Sequence, residues 1–261
     1  SLRTALNNAA TVRVDLNNGY THDTWLEYKN FEELQLTGGA GNDLIVITPG
    51  TKGRFDGGEG SVDTLYADFS SSTSALTWDN SDPSVQRTLA DGSTVVNIER
   101  MLIATGSGDD FINNDNAAST HDYISTGAGN DTIYSGGGND VIDSGEGNDI
   151  IVAGAGVDTI TGGAGDDIID AGNDGGSIDA GAENDTVTVG RYGGTQADGG
   201  TGTDRLIVDW SSVGSDRWMG YSTYDAESTA WSEFNGNGDI NAVNYDSLHT
   251  ALSNADTARL D

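Results

Sequence analysis

Between residues 126 and 188 an aspartate returns every nine residues: Asp131, Asp140, Asp149, Asp158, Asp167 and Asp185, with Gly176 breaking the run once. Two places after each stands an aliphatic: Ile133, Ile142, Ile151, Ile160, Ile169, Ile178 and Val187. In the first five blocks, glycines stand four and two residues before the aspartate. Carboxylates at a fixed period are oxygen donors in need of a shared partner. The segment holds 13 acids and no lysine or arginine, so no side-chain cation within it can be that partner. A hard divalent cation can. Calcium accepts carboxylate and main-chain carbonyl oxygens in flexible geometry, whereas magnesium demands a stricter octahedron and keeps its waters.

The elements that must position these groups follow from the same nine residues. The last three of each block alternate out, in, out, which reads as a very short strand burying one aliphatic. The six before it form a turn, with glycine where the backbone needs positive φ. A strand and a turn make half a coil, so two blocks complete one turn of 18 residues. Blocks i and i+2 then stack, and their aliphatics form a thin continuous core. Stacking also sets carboxylates about 4.8 Å apart, one strand spacing, which is repulsive unless a cation lies between them.

The blocks, such as TGAGNDTIY at 126–134 and GGAGDDIID at 162–170, resemble the RTX (repeats-in-toxin, haemolysin-type) calcium-binding nonapeptide G-G-x-G-x-D-x-U-x. The resemblance extends over roughly 105–207. It implies an all-β fold, a right-handed parallel β-roll or β-solenoid with calcium in its Gly-Asp turns. It also implies a ligand set. One turn offers carbonyls from block positions 2 and 4 plus its aspartate, and the turn beneath offers those of positions 1 and 3 plus its own. On this chain Gly127, Gly129 and Asp131 would face Ser144, Glu146 and Asp149. Gly136, Gly138 and Asp140 would face Ala153, Ala155 and Asp158. Gly145, Gly147 and Asp149 would face Gly162, Ala164 and Asp167. Gly154 and Gly156 with Asp158, and Gly163 and Gly165 with Asp167, continue the logic toward Gly176 and Asp185.

Degenerate copies extend the register. TGSGDDFIN at 105–113 contributes Gly106, Gly108 and Asp110. After a three-residue insertion, AASTHDYIS at 117–125 keeps Asp122 but has Ala118 and Thr120 for glycines. GGTGTDRLI at 199–207 contributes Asp204. Two ladders result: Asp110, Asp131, Asp149, Asp167, Asp185, Asp204, and Asp122, Asp140, Asp158, the second stopping at Gly176 and Gly194. Calcium is expected between consecutive members of each. A separate outlier, GGAGNDLIV at 38–46 and GGEGSVDTL at 57–65, would hold one more ion with Gly39, Gly41, Asp43 and Asp63.

Three domains are expected: 1–104, divergent turns with two β-rich excursions; 105–207, the main roll; and 208–261, an aromatic-rich excursion. The excursions are read from echoes, NFEELQL at 30–36, NIERMLI at 97–103 and NYDSLHT at 244–250, with VDLNNG, ADFSSS and VDWSSV upstream of them. Their aromatics, among them Trp25, Trp78, Trp210 and Trp231, would pack a small core or cap, or offer a sugar-stacking surface. The run 233–244 has oxygen donors Glu233, Asn235 and Asn237 around Gly238, but Asn244 stands where an EF-hand needs a bidentate glutamate.

The rest of the composition narrows the class. A formal charge of −31 excludes nucleic acid and anionic membrane as partners, because phosphate would be repelled. There is no cysteine, hence no disulfide and no zinc–thiolate site. No run of about 18 apolar residues is present, so no membrane insertion is expected. Neither a leader at Ser1 nor a clear end at Asp261 is legible, and a segment of a longer protein is expected. His22, His121 and His249 are scattered, and HExxH, GxSxG and phosphate-binding glycine loops are missing, so the chain is expected not to be an enzyme.

RTX relatives are typically exported by the type I route and fold outside the cell, which implies a secreted, extracellular, cell-surface protein. Three functions fit: a structural module of a bacterial S-layer or giant adhesin, the non-catalytic C-terminal region of a secreted enzyme, or a glycan-binding module. Besides calcium ions, copies of the same chain or cell-surface polysaccharide would be its partners.

Overall fold

The structure is a computed structural model that describes residues 14–15, 25–26, 33–47, 52–89, 91–190 and 195–209. The chain divides into a unit Ser1–Asp209, to which all described residues belong, and a unit Trp210–Asp261. Among the described residues every regular element is a strand, and no helix is long and apolar enough to cross a membrane.

The nine-residue period becomes two facing parallel sheets. One has ten strands. From Leu44–Ile47 it runs through Thr64–Asp68, Arg100–Ala104, Tyr123–Ala128, Val141–Glu146, Asp158–Ala164 and Gly176–Ala182 to Thr195–Asp198, with Val14–Asp15 and Trp25–Leu26 added antiparallel at its start. The other has seven strands, from Thr77–Asp79 through Phe111–Asn113, Thr132–Tyr134, Ile150–Val152, Ile168–Asp170 and Thr186–Val189 to Arg205–Val208. Consecutive strands of each sheet come from alternate blocks, so Ile142 pairs with Ile160 and Ile133 with Ile151, 18 residues apart. This is a parallel β-roll. The predicted aliphatics fill it: Ile112, Ile124, Ile133, Ile142, Ile151, Ile160, Ile169, Ile178 and Val187 are all buried in one cluster.

A four-stranded sheet precedes the seven-stranded one. Leu34–Thr37, Gly53–Asp56 and Thr94–Val96 are parallel, and Arg87–Thr88 adds antiparallel. The core here is larger, with Leu36, Ile45, Phe55, Leu65, Val95, Ile98 and Met101 buried together. Strand Arg100–Ala104 pairs with Thr64–Asp68 on one side and Tyr123–Ala128 on the other, so pairing is continuous across residue 104.

One expectation is corrected. ADFSSS was expected to open an excursion, but residues 69–76 form a roll turn stacked on 105–110. Phe69 N–H donates to the Ala104 carbonyl and Ser107 N–H to the Ser72 carbonyl. Leu76 N–H donates to Asp110 Oδ1 at 2.6 Å, and Trp78, 1 % exposed, sits over Ile112 in the aliphatic's place. The turn lacks glycines and aspartate and its spacing is irregular, so no motif reveals it, yet Trp78 fills the inward place opposite Ile112. The real departure begins after Asn80, whose N–H still donates to the Asn113 carbonyl, and it includes Arg87–Thr88, which pairs antiparallel with Thr94–Val96. The aromatics from Trp210 onward, the 233–244 loop, Gly194, His22 and His249 lie outside the described residues.

Candidate metal centres

Glycine decides how closely the turns stack. Gly127, Gly129, Gly136, Gly138, Gly145, Gly147, Gly154, Gly156, Gly163 and Gly165 all have positive φ. Glu183, where the pattern departs from glycine, is forced to the same region at φ 80°. The conformation turns carbonyls toward the neighbouring coil. The Glu146, Ala155 and Ala164 carbonyls accept from Gly129, Gly138 and Gly147 N–H at 2.6 to 2.8 Å. Each of these oxygens keeps a second lone pair.

The aspartates form two buried ladders along the edges of the roll. Asp110 N–H donates to Asp131 Oδ1, Asp131 to Asp149, Asp149 to Asp167 and Asp167 to Asp185, at 2.7 to 2.9 Å. Asp185 continues to the exposed Asp204 at 3.0 Å. On the other edge Asp122 N–H donates to Asp140 Oδ1 and Asp140 N–H to Asp158 Oδ1, both at 2.8 Å. There the ladder ends, because Asp158 pairs with Gly176. Asp43 and Asp63 are not a separate outlier. Asp43 N–H donates to Asp63 Oδ1 at 2.7 Å, and both precede strands of the ten-stranded sheet that Asp122, Asp140 and Asp158 also serve.

One oxygen of each carboxylate is thus used by the backbone. The second is not. The Oδ2 atoms of Asp63, Asp110, Asp131, Asp140, Asp149, Asp158, Asp167 and Asp185 are buried and have no hydrogen-bond partner. A buried carboxylate oxygen left bare is costly, so a cation or a proton is required there. Among the described residues the one ion pair is Arg54 with Glu33, at 3.7 Å and largely exposed. Protein cations therefore do not fill the role. Nor do three carboxylate or imidazole side chains converge on one point among the described residues, so a cation would draw on main-chain carbonyls.

The geometry fits such an ion. A Cβ placed on Gly162 would collide with the Ala180 carbonyl oxygen and come within 2.6 Å of Asp167 Oδ2, so both oxygens face the same small space. The donors are all oxygen, which suits calcium. Two members differ. Asp43 Oδ2 accepts from Gly39 N–H at 2.7 Å. Asp122 Oδ2 accepts from Asn114 Nδ2 at 2.9 Å and Thr120 Oγ1 at 3.0 Å. The three-residue insertion supplies Asn114, whose Oδ1 in turn accepts from Asn80.

Two further ladders escaped the motif. Thr105, Thr126, Ser135 and Ser144 hydroxyls donate to the first carbonyl of the next stacked turn, at Thr126, Ser144, Ala153 and Gly162. Outside, Asn148 N–H donates to Asn130 Oδ1, Asp166 to Asn148 and Asn184 to Asp166, opposite in sense to the aspartate ladder. The recurring Ser/Thr at block position 1 and Asn/Asp at position 5 were the available signals.

Burial raises the carboxyl pKa values: Asp63, Asp122, Asp131 and Asp158 to about 6 and Asp167 to about 7, with Asp140, Asp149 and Asp185 also raised. Backbone N–H bonds oppose the shift. For an acid whose folded pKa lies above its unfolded value, the stabilising contribution is full below the unfolded value and disappears as pH rises through the folded one. The metal-free roll is therefore expected to gain β structure when calcium-free buffer is taken from pH 7.5 to pH 4. In calcium the trend should invert, because protons displace the ion. Far-UV circular dichroism at both pH values, with and without calcium, checks this. An equal response in both buffers would show that the carboxylates do not govern folding.

No curated protein and no solved structure matches the chain. The family model for the RTX calcium-binding nonapeptide repeat matches residues 35–46, 116–151 and 143–178. The matched stretches contain Asp43, Asp122, Asp131, Asp140, Asp149, Asp158 and Asp167, the residues that the fold stacks along its two edges. These stretches are thus RTX calcium-binding nonapeptide repeats, and the fold stacks the two overlapping ones, which span 116–178, in one parallel β-roll.

Proposed function

We propose that the chain is a calcium-dependent extracellular structural module of a bacterial S-layer or RTX adhesin, with no catalytic role of its own. The observation that carries this reading is the row of buried aspartate oxygens without partners, repeated turn after turn. Calcium bound between Asp110 and Asp131, and between each pair down to Asp185 and Asp204, would neutralise one edge. Ions between Asp122 and Asp140, and between Asp140 and Asp158, would neutralise the other, with carbonyls of the flanking glycine turns completing each site. No ion is assigned between Met101 and Asp122, where Asn114 and Thr120 already serve the free carboxylate oxygen. The same ions stiffen the stack, which suits a load-bearing wall or stalk more than an active site.

Low calcium inside the cell would leave the chain unfolded for export, and millimolar calcium outside would fold it. Sites of the extracellular class bind at about 10⁻⁴–10⁻³ M.

Light scattering and electron microscopy of the purified chain during calcium titration test the structural role. Ordered sheets or filaments appearing with calcium, and not with magnesium, are expected. A chain that folds with calcium but stays monomeric would point instead to the non-catalytic region of a secreted enzyme. Selective retention on a glycan array would favour the ligand-binding module.

A further inference from the structure

The turn at 97–99 has neither the length nor the residues of a nonapeptide turn, and no RTX repeat is matched there. Three residues, Asn97, Ile98 and Glu99, do the work of six. Ile98 is wholly buried and Asn97 takes a positive φ of 53°. The turn nonetheless stacks in register on 57–63. Gly57 N–H donates to the Val96 carbonyl at 3.0 Å, and Glu99 and Arg100 N–H both donate to the Asp63 carbonyl, at 3.0 and 2.9 Å.

Glu99 takes the place of the missing ladder aspartate. Its Oε2 accepts the Asp63 N–H at 2.7 Å, as Asp149 Oδ1 accepts from Asp131 at 2.7 Å. The extra methylene of glutamate spans the gap left by the short turn. Asp63 is 0 % exposed, and its Oδ2 is buried without a hydrogen-bond partner. A Cβ on Gly57 would collide with the Asn97 carbonyl oxygen and lie 2.8 Å from Asp63 Oδ2. That is the arrangement found at Gly162, where the Ala180 carbonyl and Asp167 Oδ2 meet. The main-chain carbonyl of Glu99 is held from the far side by Asn114 Nδ2 and Asn116 Nδ2 at 3.0 and 3.1 Å. The turn is therefore fixed in place before any ion arrives.

We infer that the step between Asp63 and the Asn97–Glu99 turn holds a calcium ion of its own, with Asp63 Oδ2, the Asn97 carbonyl and the Glu99 carboxylate on its protein side. A three-residue turn offers fewer carbonyls than a six-residue one, so this ion keeps more water and binds more weakly than those of the main ladders. The site extends the metal array across the junction between the first turns and the matched repeats. It rests on the calcium reading of the roll as a whole.

Native mass spectrometry of the full chain at saturating calcium counts the ions. Glu99→Gln keeps an oxygen acceptor for the Asp63 N–H and removes only the charge, so the fold is retained. It is expected to carry one ion fewer than the parent. Asp63→Asn, which keeps an acceptor for Asp43 N–H, is expected to lose at least one and provides an independent reading. Asp149→Asn, in the main ladder, serves as the reference for ion loss. A parent chain that takes up no calcium would refute the general reading. A parent that binds calcium, with unchanged counts in Glu99→Gln and Asp63→Asn, would overturn this site alone.

Discussion

Withdrawing calcium from the folded chain is expected to unfold the repeat region. Between residues 117 and 188 each block buries a single large aliphatic, and the ladders place bare carboxylate oxygens in the interior. Chain ordering costs about 1–2 kcal/mol per residue for the backbone alone, and such a thin core offsets little beyond it. An ion that binds only the folded state contributes RT ln(1 + [Ca]/Kd). At about 10 mM calcium and a Kd of 10⁻⁴–10⁻³ M that is about 1.4–2.7 kcal/mol per site. A handful of sites equals or exceeds the whole stability of an ordinary domain, about 5–15 kcal/mol.

The thermal midpoint should therefore climb steeply with calcium and vanish in chelator, while magnesium at the same concentration restores little. Circular dichroism melts across a calcium series check it. A midpoint independent of calcium would mean that protons or packing, not ions, satisfy the ladder. The first turns should resist longest, since Phe55, Leu65, Trp78, Ile98 and Met101 give them a thicker core. Asn80, Asn114 and Thr120 also bond there without metal. Hydrogen exchange in chelator would show protection retained around these residues and lost beyond 123.

Replacing Gly145 by alanine should destabilise the calcium-loaded chain by about 2–6 kcal/mol, the sum of two separate costs. Gly145 has φ 102°, a region that costs an L-residue about 1–3 kcal/mol. Its new Cβ would also collide with the Gly127 carbonyl oxygen of the coil stacked against it, which adds an overpacking cost of about 1–3 kcal/mol. The collision cannot be relieved by a rotamer change, because the obstructing atom is main chain. Separating the coils would pull the carbonyls away from the ion sites. Gly137→Ala is the control. It lacks positive φ, and the nearest atom to a Cβ there is 3.8 Å away, at Ser119. Its change should stay within about 0.5 kcal/mol. Thermal melts of both variants at one calcium concentration decide the matter. Equal effects would mean that the tight stacking of glycine turns is not what limits stability.

The two substitutions also mark how far a sequence motif reaches. Gly145 stands at block position 2, where glycine recurs, and Gly137 at position 3, which Ala128, Glu146 and Ala155 fill in neighbouring blocks. Their difference lies in which side of the turn faces the next coil, and that follows from the stack.

What the linear sequence determined by itself was the repeat unit and its consequences. A nine-residue period with one aliphatic and one aspartate dictates short strands, glycine turns, an 18-residue coil and two carboxylate ladders. Each of these depends on neighbours within about two blocks. The all-β roll, its buried isoleucines and the stop at Gly176 were legible for that reason. Tertiary structure decided everything whose partner lies at an irregular distance. Glu99 meets Asp63 across 36 residues, Leu76 meets Asp110 across 34 and Asn80 meets Asn114 across 34. No fixed spacing predicts these pairs, because the loops between stacked turns vary in length while the stacking distance does not. A backbone ladder of constant pitch accepts any residue that can place an oxygen or an apolar group at the right height. So a glutamate stands for an aspartate, a tryptophan for an isoleucine, and an asparagine amide occupies one carboxylate oxygen of a ladder aspartate.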